Sequence, residues 1–412
     1  MQVRIFPFLL LLSCTVARAS DLENPNFMPF GEQEAYLGNA GIGVEDSTGA
    51  VYYNPGALGF VTGKKASVYG NAYAMNKFSS RSAIGGGNPD FVVSSSSYSG
   101  VPLSSVTLFS GDSFTYAFSF NTPYSSKKSI SSPFKVASVE QNILLDIAED
   151  SLWLGPSLAK KVSERVGVGV SLFAVRDSIV LNQLLTQFVV AGGARTTIAG
   201  RAEVSNWSAL LVLGAQYRAS SELNFGVRVQ TPSLDLRGRT DFFGVTHTAS
   251  GQVIQDETGI HSVFRRPFNF GMGSKYSPWG GADFFLDLNA QLPVHFNSAP
   301  SRAAVNSHTD TRFKARANLG AKIRLDKINN ILAGLMLNPS TVDAGGNLDL
   351  LSTSEDYRGA TLGLQKDLGP LLTSAGGFFL WSNATYKNQN SSVVSEYRHR
   401  IYGLLLTASY KL

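Results

Sequence analysis

A chain of 412 residues could form two or three ordinary soluble domains, yet only 16% of it is charged, against roughly 25% in such domains, and 40 residues are glycine. The formal charge of +5 is too weak to suit a nucleic-acid partner, and no basic block accompanies it. After residue 20 no run of about 18 consecutive apolar residues occurs, which excludes membrane-crossing helices and leaves strands, whose alternation dilutes the apolar signal.

The first 19 residues read as a targeting signal. Arg4 is the positive start, Ile5 to Leu12 form an apolar stretch too short to span, and Ala17-Arg18-Ala19 is a small-x-small cleavage pattern. The mature chain is then expected to begin at Ser20. A competing reading takes Leu11-Leu12-Ser13-Cys14 as a lipoprotein box with Cys14 lipidated, but Leu12 is unusual there. Cleavage after Ala19 removes the only cysteine, and with it disulfides and thiol chemistry. It also removes Arg4 and Arg18, lowering the charge from +5 to +3.

Residues 20–63 do not alternate. They carry Asn-Pro, Met28-Pro29-Phe30-Gly31 and many glycines between Gly38 and Gly59. Gly38, Gly41 and Gly43 do not make a dinucleotide loop, because the spacing is wrong and no strand–helix unit follows.

From residue 64 to 412 the dominant signal is period two. In Phe313 to Leu325 the odd positions are all apolar, while the even ones are Lys314, Arg316, Asn318, Gly320, Lys322 and Arg324. A strand puts these sets on opposite faces. Its length of about 13 residues exceeds a typical soluble strand and suits a tilted membrane crossing. The same pattern runs through Phe114 to Asn121, Trp207 to Tyr217, Leu223 to Gln230 and Phe284 to Leu292. Trp207 and Tyr217 bracket their strand as interfacial aromatics do. A soluble sandwich with one wet face is the alternative, disfavoured by the strand lengths, the leader and the lack of cysteine.

Tight turns fall at Gly111-Asp112, Ser163-Glu164, Ser220-Ser221, Ser277 to Gly281, Asp326-Lys327 and Asp367 to Pro370. Between them lie polar stretches expected to be long outer loops: 76–89, 123–137, 179–197, 239–257, 296–309, 343–354 and 388–397. Six turns and seven loops connect fourteen strands with both barrel ends in the periplasm. The first two strands are the most blurred. The last strand ends at the terminus, with Tyr402, Leu404, Leu406, Ala408, Tyr410 and Leu412 on one face. It resembles the C-terminal signal read by the outer-membrane insertion machinery, with Leu412 in place of the commoner aromatic and Tyr410 in partial compensation.

Gly41-Ile42-Gly43-Val44, Glu45-Asp46-Ser47-Thr48, Tyr52-Tyr53 and Asn54-Pro55-Gly56-Ala57-Leu58 together resemble the N-terminal region of the FadL/TodX superfamily of outer-membrane transporters for hydrophobic compounds. That region commonly reads Asn-Pro-Ala where this chain has Asn-Pro-Gly-Ala. The specific match covers about 25 residues. Gly155-Pro156-Ser157 and Pro232-Ser233-Leu234 extend it weakly. The resemblance implies an all-β, fourteen-stranded transmembrane antiparallel barrel closed by an N-terminal hatch. In such channels ligand enters from outside, is held near the hatch and leaves through a side opening where a strand kinks inward. The domains expected are a signal peptide at 1–19, a hatch at 20–63 and the barrel at 64–412.

A hatch needs tightly folded backbone, for which glycine and proline are suited. Asn54, Pro55 and Gly56 are assigned to the hatch and gate, beside the plainer reading of an ordinary turn into the first strand. Gly100 and Pro102 interrupt the alternation, and a proline inside a closed barrel marks a bulge or a gap. Phe27, Met28 and Phe30 are candidates to line an apolar ligand site, or to pack against the wall. Arg316 and Arg324, with Lys314 and Lys322, face the lumen by alternation. They either attract a carboxylate head group or pair with Glu45 and Asp46.

The five histidines show no ligand spacing and no nucleophile elbow is present, so no enzyme, metal or cofactor is expected. The reading is passive uptake of fatty-acid-like or aromatic hydrophobic molecules across a bacterial outer membrane. The partners are the ligand, membrane lipids and lipopolysaccharide, and the insertion machinery. The alternative is a barrel that serves as a partner or assembly component in protein secretion.

Overall fold

Alternate side chains in the period-two stretches separate onto two faces, with the apolar face turned outward. Along Lys314–Arg324, Leu319 and Ile323 are 50% and 44% exposed, whereas Lys314 and Arg316 are 3% and 8% exposed. In water this arrangement is inside out. It is stable only where the outer face meets lipid and the polar face meets an enclosed interior. The chain is described by a computed structural model over residues 28–81, 92–99, 103–111, 113–136, 139–189, 193–298, 308–340, 356–387 and 394–412.

Fourteen strands, each antiparallel to the next, form the wall. They are β1 (Lys64–Arg81), β2 (Val92–Ser99 with Leu103–Ser110), β3 (Thr115–Val136), β4 (Val139–Lys161), β5 (Val166–Val189) and β6 (Ala194–Arg218). Then follow β7 (Leu223–Gln230 with Leu234–Thr248), β8 (Gly251–Ile260 with Asn269–Trp279), β9 (Ala282–Gln291) and β10 (Lys314–Arg324). The last four are β11 (Asn329–Asn338), β12 (Tyr357–Leu368), β13 (Leu371–Lys387) and β14 (Val394–Lys411). β14 pairs with β1 from Lys65↔Lys411 to Arg81↔Glu396, so the sheet closes and no strand is left as an edge around the ring. The count of fourteen agrees with the six turns of the sequence. All six fall at one end, hereafter the turn end.

The outward face agrees with the alternation. Tyr116, Phe118, Leu213, Tyr217, Phe225, Leu286, Leu288, Leu404 and Leu406 are all exposed. On β6 this apolar face ends at Trp207 and gives way to Ser205, Glu203 and Arg201, which marks the outer boundary of the membrane. The molecule is a membrane-spanning β-barrel of the bacterial outer-membrane type.

Three expected outer loops are corrected. Strand β3 runs to Val136 and β4 starts at Val139, so 123–137 is almost wholly strand. Strand β5 continues to Val189 and β6 starts at Ala194, within the stretch 179–197. Strands β7 and β8 meet across Thr248↔Gly251, within 239–257. These hairpins stand beyond the membrane, where the outer face meets water instead of lipid. Their inward face still buries Leu145, Ile147, Ile179 and Leu181, but the polar residues among them break the clean alternation that marks a lipid-facing strand. The expected loop 296–309 also holds a short pairing of His295–Asn297 with His308–Asp310. The leader (1–19), Phe27, Gly100 and Pro102 lie outside the described residues.

Candidate functional site: the barrel lumen

Residues 28–61 lie within the ring of strands, almost entirely buried. They form a 3-10 turn (Glu34–Leu37), a single helical turn (Ala50–Tyr53) and a 3-10 helix (Pro55–Phe60). So little regular structure leaves many backbone groups without local partners, and each must find one when buried. The inward polar residues of the wall supply them. Asp287 on β9 accepts the N–H of Gly41 at 2.7 Å and of Ile42 at 2.9 Å. Thr361 on β12 donates to Tyr36 O at 2.7 Å, and Ser171 on β5 to Val51 O at 2.7 Å. Thr407 on β14 donates to Glu32 O at 3.1 Å. Lys65 on β1 bonds the Glu32 carboxylate at 3.0 Å, both side chains being at most 4% exposed.

Asn54, Pro55 and Gly56 sit on the wall of β5 to β7. The Asn54 carboxamide accepts the Gly56 N–H at 3.1 Å, capping the 3-10 helix, and donates to Gln216 Oε1 at 2.7 Å and Ile42 O at 2.9 Å. The wall here is built from inward glycines. A Cβ on Gly214 would lie 2.7 Å from the Gly56 nitrogen and closer still to the Asn54 carboxamide. On the opposite side, Gly38 adopts φ +64°, and a Cβ there would lie 2.7 Å from the backbone of Leu335 on β11. Backbone thus packs on backbone at both sides of the segment.

Above these anchors, moving away from the turn end, lies a layer of aromatic rings. Phe30 meets Tyr52 edge-on at 4.8 Å and Tyr69 at 5.4 Å; Tyr52 lies 5.1 Å from Trp153, and Trp153 5.4 Å from Phe173. Edge-to-face contacts at these spacings are favourable for aromatic rings. Trp153 and Phe173 are at most 1% exposed. Further out, Leu145, Ile147, Ile179 and Leu181 turn inward as an aliphatic zone, with Tyr124 and Met28 in the same cluster.

Beside the aromatic layer are buried cations. Arg228 donates to Tyr52 O at 3.0 Å, Asn269 Oδ1 at 3.1 Å and Gln230 Oε1 at 2.7 Å. Lys314 and Arg316 are buried on β10. Arg324, by contrast, is exposed at the turn end, where a cavity of about 760 Å³ is lined by Glu45, Asp46, Lys65, Lys322 and Arg324.

The expected residues therefore divide. Phe30 joins the aromatic layer and Met28 the aliphatic zone. Arg316 and Arg324 do not share a site. The ion pairing expected of the β10 cations is corrected: Glu45 pairs with Arg218 at 2.9 Å, and Asp46 uses its carbonyl oxygen to bind Lys65. The chain order that brings Glu45 past the end of β6 decides this, and alternation along β10 cannot reveal it. Trp153, Arg228, Asp287 and Gly214 were not singled out from sequence. One signal was available for two of them: Arg228 and Asp287 are ionisable groups on the inward parity of membrane-crossing strands, where a charge is costly.

The chain matches no protein-family model and no curated protein in sequence. Solved structures do match its fold. A Pseudomonas aeruginosa FadL homologue superposes with a TM-score of 0.66 at 14% identity, covering 94% of this chain and 99% of that one. The P. putida toluene transporter TodX gives 0.66 at 12% identity, with the same coverages. The Ralstonia pickettii toluene transporter TbuX gives 0.62 at 13% identity, again over 94% and 99%. At these identities the likeness is one of fold, and the chain has the FadL/TodX-type barrel fold.

Proposed function

We propose that this barrel carries small hydrophobic molecules passively across the outer membrane, with residues 28–61 as a hatch that closes the lumen. The observation that carries this reading is the closed aromatic layer Phe30–Tyr52–Tyr69–Trp153–Phe173 between the N-terminal segment and the wall. A water-filled porin lumen is polar. An interior of apolar rings with a few placed polar groups suits an apolar ligand. The toluene transporters that share the fold support the same class.

Flat rings packed edge to face favour an aromatic hydrocarbon over a long acyl chain. Phe27, Met28 and Phe30 contribute apolar surface to the ligand's path. Arg316 offers a charge to ligands bearing a carboxylate, and Arg324 lies on the polar cavity at the turn end. Release is sideways, through the part of the wall to which Gly100 and Pro102 belong. Register shifts at Asn71/Tyr73, where β1 pairs with β14, and at Asn121/Tyr124, where β3 pairs with β4, lie in the two strands beside β2 and support the assignment. Lipopolysaccharide surrounds the outer face, and the insertion machinery engages β14.

Uptake of radiolabelled toluene and oleate by cells with and without the protein tests the reading. Faster entry of toluene in expressing cells is expected. Equal entry of both compounds with and without the protein would overturn it.

A further inference from the structure

Strand β8 leaves the wall between Ile260 and Asn269. Its ladder with β7 stops at Thr240↔Ile260 and resumes at Gln230↔Asn269. The eight residues between are held by scattered bonds instead. Ser262 N–H reaches Gly238 O at 3.3 Å and Val263 N–H reaches Ser298 O at 2.8 Å. Arg266 N–H reaches Ser233 Oγ at 2.8 Å, and Ser233 N–H reaches Arg266 O at 3.1 Å. Such a segment has fewer cooperative bonds to break than a paired strand has.

From it the Arg266 side chain turns inward. Its Nη2 lies 2.5 Å from Asp177 Oδ1 on β5 and 2.9 Å from Ser151 Oγ on β4. The guanidinium also lies 5.2 Å from the centre of the Trp153 ring, within cation–π range. Strands β6 and β7 separate β8 from β5, so this contact is a chord across the lumen. Arg266 and Asp177 are 2% and 3% exposed, and the Arg266 Nε has no partner among the described residues.

The height of the chord gives it meaning. On β5, Asp177 lies four residues further from the turn end than Phe173. On β4, Ser151 lies two residues beyond Trp153. The chord therefore covers the aromatic layer from the outer side. Beyond it the inward side chains are Glu149, which accepts the Tyr124 hydroxyl at 2.8 Å, and then Ile147, Ile179 and Leu181. The ion pair thus lies between the aromatic layer and the outer aliphatic zone on this side of the lumen, and it hangs on a stretch of the wall that no continuous ladder holds.

We propose that Arg266 and Asp177 form a selectivity latch between the outer aliphatic zone and the aromatic layer. A flat apolar ligand replaces the guanidinium on the face of Trp153 as segment 261–268 swings outward. Ligands that cannot take that place are held in the outer zone. The latch rests on the lumen being the hydrophobic path argued above.

The test separates the two claims. In a Cys14→Ser background, Phe173→Cys puts a thiol beneath the latch. Its labelling by methyl methanethiosulfonate, a small uncharged reagent, reports access without depending on any transported ligand. Labelling at least tenfold faster is expected in Arg266→Ala and in the double variant Arg266→Leu/Asp177→Leu. The double variant removes both charges together, so no buried ion is left alone to unfold the barrel. Arg266→Lys keeps the ion pair and is expected to restore slow labelling. Folding of each variant is checked by the heat-dependent shift of the barrel in detergent gels. Equal labelling in all folded variants would overturn the latch. Latch-dependent labelling in a protein that admits no toluene would overturn the transport reading and leave the latch standing.

Discussion

Asp287 and Gly41 are 246 residues apart in the chain, yet the Asp287 carboxylate accepts the Gly41 N–H at 2.7 Å inside the barrel. The same oxygen takes the Ile42 N–H, so one wall residue fastens the glycine-rich stretch of the N-terminal segment. Asp287→Ala leaves two buried N–H groups unsatisfied, at a cost of about 1–3 kcal/mol each. The expected result is a segment that detaches while the strands persist. Planar-bilayer recordings should show larger ion currents than the parent, with unchanged strand content by circular dichroism. Identical conductance would mean that Asp287 does not hold the segment.

Burial pushes the Glu34 carboxyl up to about 7, with Glu32 nearby adding to the rise. A carboxyl raised above its usual value of 4.5 contributes stability that is full below pH 4.5 and lost as pH climbs through about 7. The shift corresponds to roughly 3 kcal/mol at most. Proteolytic cleavage within 28–61 is therefore expected to accelerate between pH 5 and pH 8. Glu34→Gln, which mimics the protonated acid, should flatten that dependence. The Glu32 carboxylate, held low by Lys65 and Thr48 against the cost of burial, works in the opposite sense at lower pH.

Gly214→Val fills the space that Gly56 and Asn54 occupy against β6. The backbone on both sides is fixed, so overpacking of about 1–3 kcal/mol is expected. Hydrogen exchange should show faster amide turnover across Asn54 to Phe60. Gly280→Ala serves as the control, since a Cβ there meets nothing within 4 Å. Equal exchange in the two variants would remove the close approach as a determinant.

Leu286→Arg places a charge on the lipid face near the middle of β9, where Leu286 is 40% exposed. A charge at membrane mid-depth costs about 2–4 kcal/mol. Urea titration of the barrel folded into lipid vesicles is expected to show a loss of that size. A variant as stable as the parent would mean that this face does not meet lipid.

The alternation of Phe313 to Leu325, the turns at Asp326 and Asp367 and the aromatic bracket Trp207–Tyr217 made the barrel and its fourteen strands legible in the sequence. Each is a local signal, because a side chain's face in a strand depends only on parity and its environment on the lipid outside. The outer halves of β3 to β8 were not legible, since their outer face meets water rather than lipid and no longer carries the apolar side that marks the alternation. The N-terminal segment was legible as something other than strand, and Met28 and Phe30 as apolar members of it.

What those residues touch lay beyond the sequence. Glu45 finds Arg218, Asp287 finds Gly41, and Arg266 crosses to Asp177, each through strands far apart in the chain. The sequence by itself determined a closed barrel with an apolar exterior, because periodicity and turns act over a few residues. Only the tertiary structure decided which wall residues hold the N-terminal segment and where the interior charges pair. Those contacts depend on ring closure and strand register, which set the height and facing of every inward side chain at once.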